Sequence, residues 1–376
     1  MRALPTTALL VLGAFSTGAS AVPTYGLQDL GDLPGGDDYT VAHDINSAGQ
    51  VVGVSASGDG YRAFLWDAGS GMSQLGTLSP GAAWSSASGV NDQGKVVGFS
   101  GAGPGLDTDQ EAFLWDGASG MQGLGALPGG EDRSQAMAIN NDGQVVGFSG
   151  GPFEERAFLW DSAGGMRRLG ALHPGAPSVA FAINNQGQAA GWAGTTSGKH
   201  AFRWEAGSGM TDLGVAAGSA PHSYATAIND QGQVVGWSGH EPGSGGARQA
   251  LLWNEGEGMR RLEDGLGPLG RRSAEDINED GRVVGGDGAG AEPFLWTDGA
   301  GMLSLESLIA EADRFPGMDL GSARAINDQG QIVAGRYLLT PLGDGAPPNG
   351  TPIPAPGVLA LLALGPVAWR LRGPDR

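Results

Sequence analysis

INSAGQVVG, residues 45–53, returns as VNDQGKVVG at 90–98, INNDGQVVG at 139–147 and INNQGQAAG at 183–191. It returns again as INDQGQVVG at 228–236, INEDGRVVG at 277–285 and INDQGQIVAG at 326–335. A block that recurs seven times at intervals of about 45 residues decides the architecture, because each unit is too short to bury a core alone and must pack on its neighbours. Working outward, six copies carry an AFLW-type block ending at Trp66, Trp115, Trp160, Trp204, Trp253 and Trp296. Six residues after each Trp stands a Met: Met72, Met121, Met166, Met210, Met259 and Met302. A spacing that never varies implies a fixed turn.

The second complete unit divides into four short apolar segments separated by turn residues: 72–78, 87–90, 95–100 and 112–115. Four short strand-like segments per repeat mark a propeller blade. No stretch of the repeat keeps a helical period, and 70 glycines in 376 residues disfavour helix further. The expected fold is all-β, a β-propeller of four-stranded blades. Seven blades are favoured with the last one reduced, because Ile332-Val333-Ala334 runs through Gly335-Arg336 straight into YLLTP. Six blades with extra end strands, or an open solenoid, are the alternatives.

The Asn of each block (Asn46, Asn91, Asn140, Asn184, Asn229, Asn278, Asn327) reads as a structural turn residue. Its side chain can accept from a backbone N–H two residues on, and the Gly three residues later supplies the positive φ that closes the turn. A calcium loop would need alternating oxygen ligands and a distal Glu, which the block lacks, so no metal is expected. Phe and Trp of AFLW sit two apart and share one face of the sheet, while Leu takes the other; both faces are buried in a propeller, so these aromatics are expected in the core.

Loop lengths single out one face. The Asn turn and the Trp-to-Met turn are constant, whereas the Asn-to-Trp interval varies from 18 to 24 residues. The variable loops collect polar groups that form the candidate binding set: Asp107, Asp109, Glu111, Glu131, Asp132, Glu154, Glu155, His173, His200, His222 and His240.

The formal charge of −19 and pI near 4.5 exclude nucleic acid as a partner, since phosphate binding needs cationic patches. With no Cys there is neither disulfide framework nor thiolate chemistry. Residues 1–21 read as a secretory signal: Arg2, an apolar run from Ala8 to Phe15, and the small-x-small pattern of Ala19 and Ala21 for signal peptidase. The repeat fills 22–341, a Gly/Pro linker 342–351, and a tail 352–376 carries Pro354 and Pro356, an apolar run to Trp369, then Arg370 and Arg372. That run is shorter than the roughly 20 residues that span a bilayer and contains Pro366, so it reads as a weak or transient membrane contact, an inner-membrane anchor before any processing.

This tail resembles the PEP-CTERM class of sorting signals, with Ala355 where that motif usually has Glu. The resemblance implies an exosortase as a second processing partner and a product at the cell surface or in the exopolysaccharide. The repeat, from YGLQDLGDLPGG through the copies of INxxGQVVG and AFLWD, resembles the HAF family of extracellular repeats over about residues 25–341. That family is defined by its repeat and brings no catalytic residue and no cofactor.

No HExxH, P-loop or Ser-His-Asp arrangement is present. The sequence therefore favours a secreted, non-enzymatic scaffold whose loop face binds a glycan or surface protein. The alternatives are a propeller glycan hydrolase with two carboxylates across the central funnel, for which Asp44 and Asp276 break the Ala-type pattern, or a lectin with one Trp site per blade.

Overall fold

The computed structural model describes residues 23–343 apart from 104–108, 130–131, 152, 242–243, 245, 263–270 and 287–291. Residues 1–21 and 352–376, with Ala19, Ala21, Pro354, Pro356, Arg370 and Arg372, lie outside the described residues, as do Asp107 and Glu131. Among the described residues, 28 strands form seven antiparallel four-stranded blades, the first two of them joined by a single parallel bridge from Tyr61 to Trp84. The fold is the expected β-propeller.

Each blade runs outward from the channel. Blades 1 to 6 span 35–74, 84–123, 134–168, 178–214, 222–261 and 273–304, and blade 7 begins at 323. The inner strand ends at the Asn turn, the VVG strand follows, then the AFLW strand, and the Met strand is outermost, paired as Trp66↔Met72 in blade 1. The Met strand thus closes the blade begun before it rather than opening a new one. The last repeat supplies three strands, with Gly335-Arg336 as a two-residue hairpin between paired Ala334 and Tyr337. Its fourth strand is Thr24–Asp29, which pairs antiparallel with Tyr337–Leu342. The two ends of the repeat region share one sheet, and this closes the ring. Arg336 reinforces the closure by pairing with Asp29 at 3.0 Å, with Asp32 at 2.7 Å and with Asp38.

The period-2 pattern of AFLW places its side chains as the sequence predicts. Phe64, Phe113, Phe158, Phe202 and Phe294 are fully buried. Phe64 and Trp66 pack in one cluster while Leu65 packs in the next, so each AFLW strand serves the two interfaces on either side of it. Burying a Phe stabilises by about 1.5–3 kcal/mol, and five equivalent copies distribute that stabilisation round the ring. Buried serines add directionality: Ser85, Ser134, Ser178 and Ser223 Oγ accept the amides of Ala63, Ala112, Ala157 and Ala201 in the preceding blade at 2.9, 3.0, 3.1 and 2.9 Å.

One irregularity recurs in every blade. The inner strand slips register between the residues four and two before its Asn, so the residue three before it is an unpaired β-bulge. The glycine of VVG makes room for it: a Cβ on Gly98, Gly147 or Gly191 would lie 1.9–2.0 Å from an inner-strand carbonyl oxygen. Blade 7 has Ala334 there, paired with Ala323 at the start of its inner strand.

Candidate functional site in the central channel

The seven Asn turns form a ring at one end of the channel. In each, Oδ1 accepts the amide four residues on, as in Asn140 to Gln144 at 2.9 Å, and the following Gly holds φ between 72° and 77°. The turn reading is correct and incomplete. Each Nδ2 also donates to the carbonyl of the next blade's Asn: 46 to 91, 91 to 140, 140 to 184 and 184 to 229, at 2.9, 3.1, 3.0 and 2.9 Å. The series continues 229 to 278, 278 to 327 and 327 back to 46, at 3.2, 3.1 and 3.0 Å. The seven Asn residues, each 3–5% exposed, form a closed cyclic hydrogen-bond chain.

A second ring lies above it. The amides of Ser47, Asp92, Asn141, Asn185, Asp230 and Glu279 donate to the side-chain oxygens of Asp92, Asn141, Asn185, Asp230, Glu279 and Asp328. Ser47 stands where the seventh acceptor belongs, and that link is missing. Together the rings frame an opening of about 180 Å³ lined by all seven blades.

Below the rings, the bulge residues are the part of the inner wall that the repeat leaves free. They are His43, Ser88, Met137, Phe181, Thr226, Glu275 and Arg324 in blades 1 to 7. The alanines one residue earlier in the same strands, such as Ala42, Ala136 and Ala323, are fully buried between blades. The bulge side chains are half-buried, and Arg324 is exposed. A bulge re-aims a side chain out of the alternation of its strand; Thr226 Oγ1, for one, donates to the Val235 and Ala274 carbonyls at 3.1 and 2.8 Å.

Three consecutive bulges, in blades 6, 7 and 1, carry Glu275, Arg324 and His43. His43 Nδ1 lies 2.7 Å from the Ala87 carbonyl, which can only accept, so Nδ1 carries the proton and Nε2 is left as an acceptor without a partner among the described residues. Burial, then the Arg324 charge, pushes the imidazole down to about 4, and His43 is neutral at pH 7. Burial raises the carboxyl of Glu275, which accepts from Ser273 Oγ, against the lowering effect of that bond and of Arg324 and Arg248. Arg324 acts electrostatically on both neighbours yet makes no hydrogen bond or ion pair with any described residue.

Asp44 and Asp276 follow the bulges in blades 1 and 6. They are inner-strand residues that bridge blades: Asp44 accepts from the Val90 amide and Asp276 from the Ile326 amide, both at 2.8 Å. Each also accepts its own following amide at 2.8 Å. Burial pushes Asp44 up to about 6 and Asp276 up to about 8, against these hydrogen bonds. Asp276 lines the opening at the rings.

The opposite side differs. Met137 and Phe181, with Tyr224, pack on buried Phe148, Val179 and Trp192, giving blades 3 and 4 apolar bulge residues.

The loop-face set is not brought together. Asp109, Asp132, Glu154, His173 and His240 are exposed and spread over several blades, on the face opposite the Asn ring. Glu111 accepts the Gly125 amide at 3.1 Å, and Glu155 uses its carbonyl to hold the Ser178 amide at 2.9 Å. His200 pairs with Asp212 at 2.9 Å, and His222 Nδ1 accepts the Lys199 amide at 3.3 Å. These bonds serve turns and blade junctions. The Trp residues of AFLW are buried or half-buried, so one indole site per blade is not what the fold offers. Among the described residues no group of three or more His, Asp or Glu could hold a metal, and no helix is long and apolar enough to cross a membrane.

Fold and site together define a seven-bladed propeller with a chemically asymmetric axial channel. Among solved structures it is similar to virginiamycin B lyase from Staphylococcus aureus, with TM-score 0.57 and 10% identity over 85% of this chain and 100% of that one. It also matches a streptogramin B lyase, TM-score 0.49 and 10% identity over 85% of this chain and 98% of the other. A gluconolactonase from Xanthomonas campestris matches with TM-score 0.41 and 12% identity over 85% of this chain and 90% of that one. No family model matches the chain, and no curated protein does. The expectation of a non-enzymatic scaffold is corrected here: virginiamycin B lyase, which shares the fold, is an enzyme, and Glu275, Arg324 and His43, which break the repeat, stand on the inner strands of three consecutive blades.

Proposed function

We propose that the protein is an enzyme, a hydrolase or lyase that cleaves its substrate in the axial channel by proton transfer. Glu275 is the acid–base group, because burial shifts its carboxyl towards the working pH. Neutral His43 offers Nε2 to orient a water or a substrate hydroxyl. Arg324 stabilises negative charge on the substrate or in the transition state. Asp44 and Asp276 position these groups by tying the inner strands of blades 1 and 6 to the next blade. The observation that carries the reading is the run of Glu275, Arg324 and His43 on consecutive bulges of an otherwise repetitive ring.

The test is a panel of chromogenic glycosides, esters and lactones, whose hydrolysis or elimination draws on the same proton transfers. Turnover is expected to fall about 10²–10⁴-fold in Glu275→Gln and in Arg324→Ala with Tm within about 2 °C of the native protein. Turnover that survives both substitutions, or none on any panel member, overturns the proposal.

We propose in addition that the protein is exported, with residues 1–21 removed by signal peptidase and the tail read by an exosortase, so that the channel meets an extracellular substrate. The sequence of the two ends and the HAF-like repeat support this. Fractionation of an exporting host with intact-mass measurement tests it: a cell-retained protein of full mass overturns it.

A further inference from the structure

We infer that the channel takes an amphipathic anion, its carboxylate or other oxyacid group held by Arg324 and its apolar or aromatic body laid against Met137 and Phe181. The inference rests on the channel's being the functional site and adds the class of ligand. Arg324 is an exposed residue of the innermost strand of blade 7 with no hydrogen bond or ion pair to any described residue. In a chain of formal charge −19, an arginine would readily find a carboxylate, as Arg336 finds three. Glu275 and His43 flank it closely enough for its charge to act on both, yet neither pairs with it. The planar fork of a guanidinium matches an oxyacid in two parallel hydrogen bonds.

Seven-fold geometry fixes what lies across the channel. The point opposite blade 7 falls between blades 3 and 4, whose bulges are Met137 and Phe181. Both are half-buried and pack on buried Phe148, Val179 and Trp192, whose aromatic rings also carry Arg133 over Phe148 and Lys199 over Trp192 at 5.1 and 4.4 Å. A ligand spanning the channel therefore meets a cation at one end and apolar surface at the other. Such a site is mostly apolar with few convergent polar groups, as small-molecule sites usually are.

Isothermal titration of the full chain with phenylacetate, phenylphosphate and neutral 2-phenylethanol tests this. At least one anion is expected to bind about tenfold or more tighter than the alcohol, and Arg324→Ala to abolish the difference. Arg324→Lys should restore part of it, and Phe181→Ala should weaken all three probes alike. Preference for either anion over the other supports the inference and names the oxyacid. Equal affinity for acid and alcohol, or a preference that persists in Arg324→Ala and in Arg324→Gln with native Tm, overturns it. The two proposals separate cleanly: Glu275→Gln should keep the anion preference while losing turnover. Anion binding without turnover by the native protein would sink catalysis alone, and turnover of neutral substrates without anion preference would sink this inference alone.

Discussion

Blades 3 and 4 and the run of blades 6, 7 and 1 are built on one plan and carry opposite chemistry at the bulge. Both have the Asn turn, the bulge and the buried Phe, wherever the repeat supplies them. At the bulge, blades 3 and 4 carry Met137 and Phe181, whereas blades 6, 7 and 1 carry Glu275, Arg324 and His43. The difference teaches that in this protein the repeat makes the frame and that its exceptions make the site.

If the frame is common to both sectors, core substitutions should be indifferent to sector. Phe202→Ala in blade 4 and Phe64→Ala in blade 1 are each expected to cost about 3–5 kcal/mol in denaturant unfolding, and within about 1 kcal/mol of one another. A large gap between them would break the comparison at its base. Next in size, Asn184→Ala and Asn327→Ala each interrupt the cyclic chain and release the buried amides that Oδ1 holds. Each should lose about 1–3 kcal/mol, again irrespective of sector.

The charged sector should make stability fall with pH near neutrality. Asp276, raised from 3.8 to about 8, holds in the folded state a proton that the unfolded chain has already lost, so stability falls as pH rises through that interval. Asp44 adds the same slope up to about 6. His43, lowered from 6.5 to about 4, has the opposite slope between those values, because there the unfolded chain takes up the proton. Between pH 6.5 and 8 the Asp276 effect stands without that opposition, and Tm should fall across this window. Asp276→Asn should flatten the fall, and an unchanged slope would show that the carboxyl is not protonated at neutral pH in the fold. The smallest effect is expected at the closure: Arg336→Ala loosens the pairing of blade 7 with Thr24–Asp29 and should lower Tm by about 1–3 °C, an effect that 1 M salt reproduces in the native protein.

Much of the site was written in the chain. The residue three before each Asn is the column that changes most in an otherwise constant block, from His43 through Met137 and Phe181 to Glu275 and Arg324. Asp44 and Asp276 stood out as departures from Ala, and they do lie in the inner strands. What hid the neighbouring column was the bulge: strict alternation would send residues three before and one before the Asn to the same side, and the slip in register breaks that parity. The variable loops attracted attention by polarity alone; of their groups, Glu111, Glu155, His200 and His222 hold turns and blade junctions, while Asp109, Asp132, Glu154, His173 and His240 stay exposed on separate blades.

The sequence by itself determined the repeat, the all-β class, the seven Asn turns and the burial of the AFLW aromatics, because period and turn chemistry act within a few residues. Only the tertiary structure decided that Thr24–Asp29 completes blade 7, that the seven Asn residues bond in a ring, and that the charge of Arg324 acts on both Glu275 and His43. Those facts join residues up to about 300 positions apart, and what brings them together is the closing of the ring.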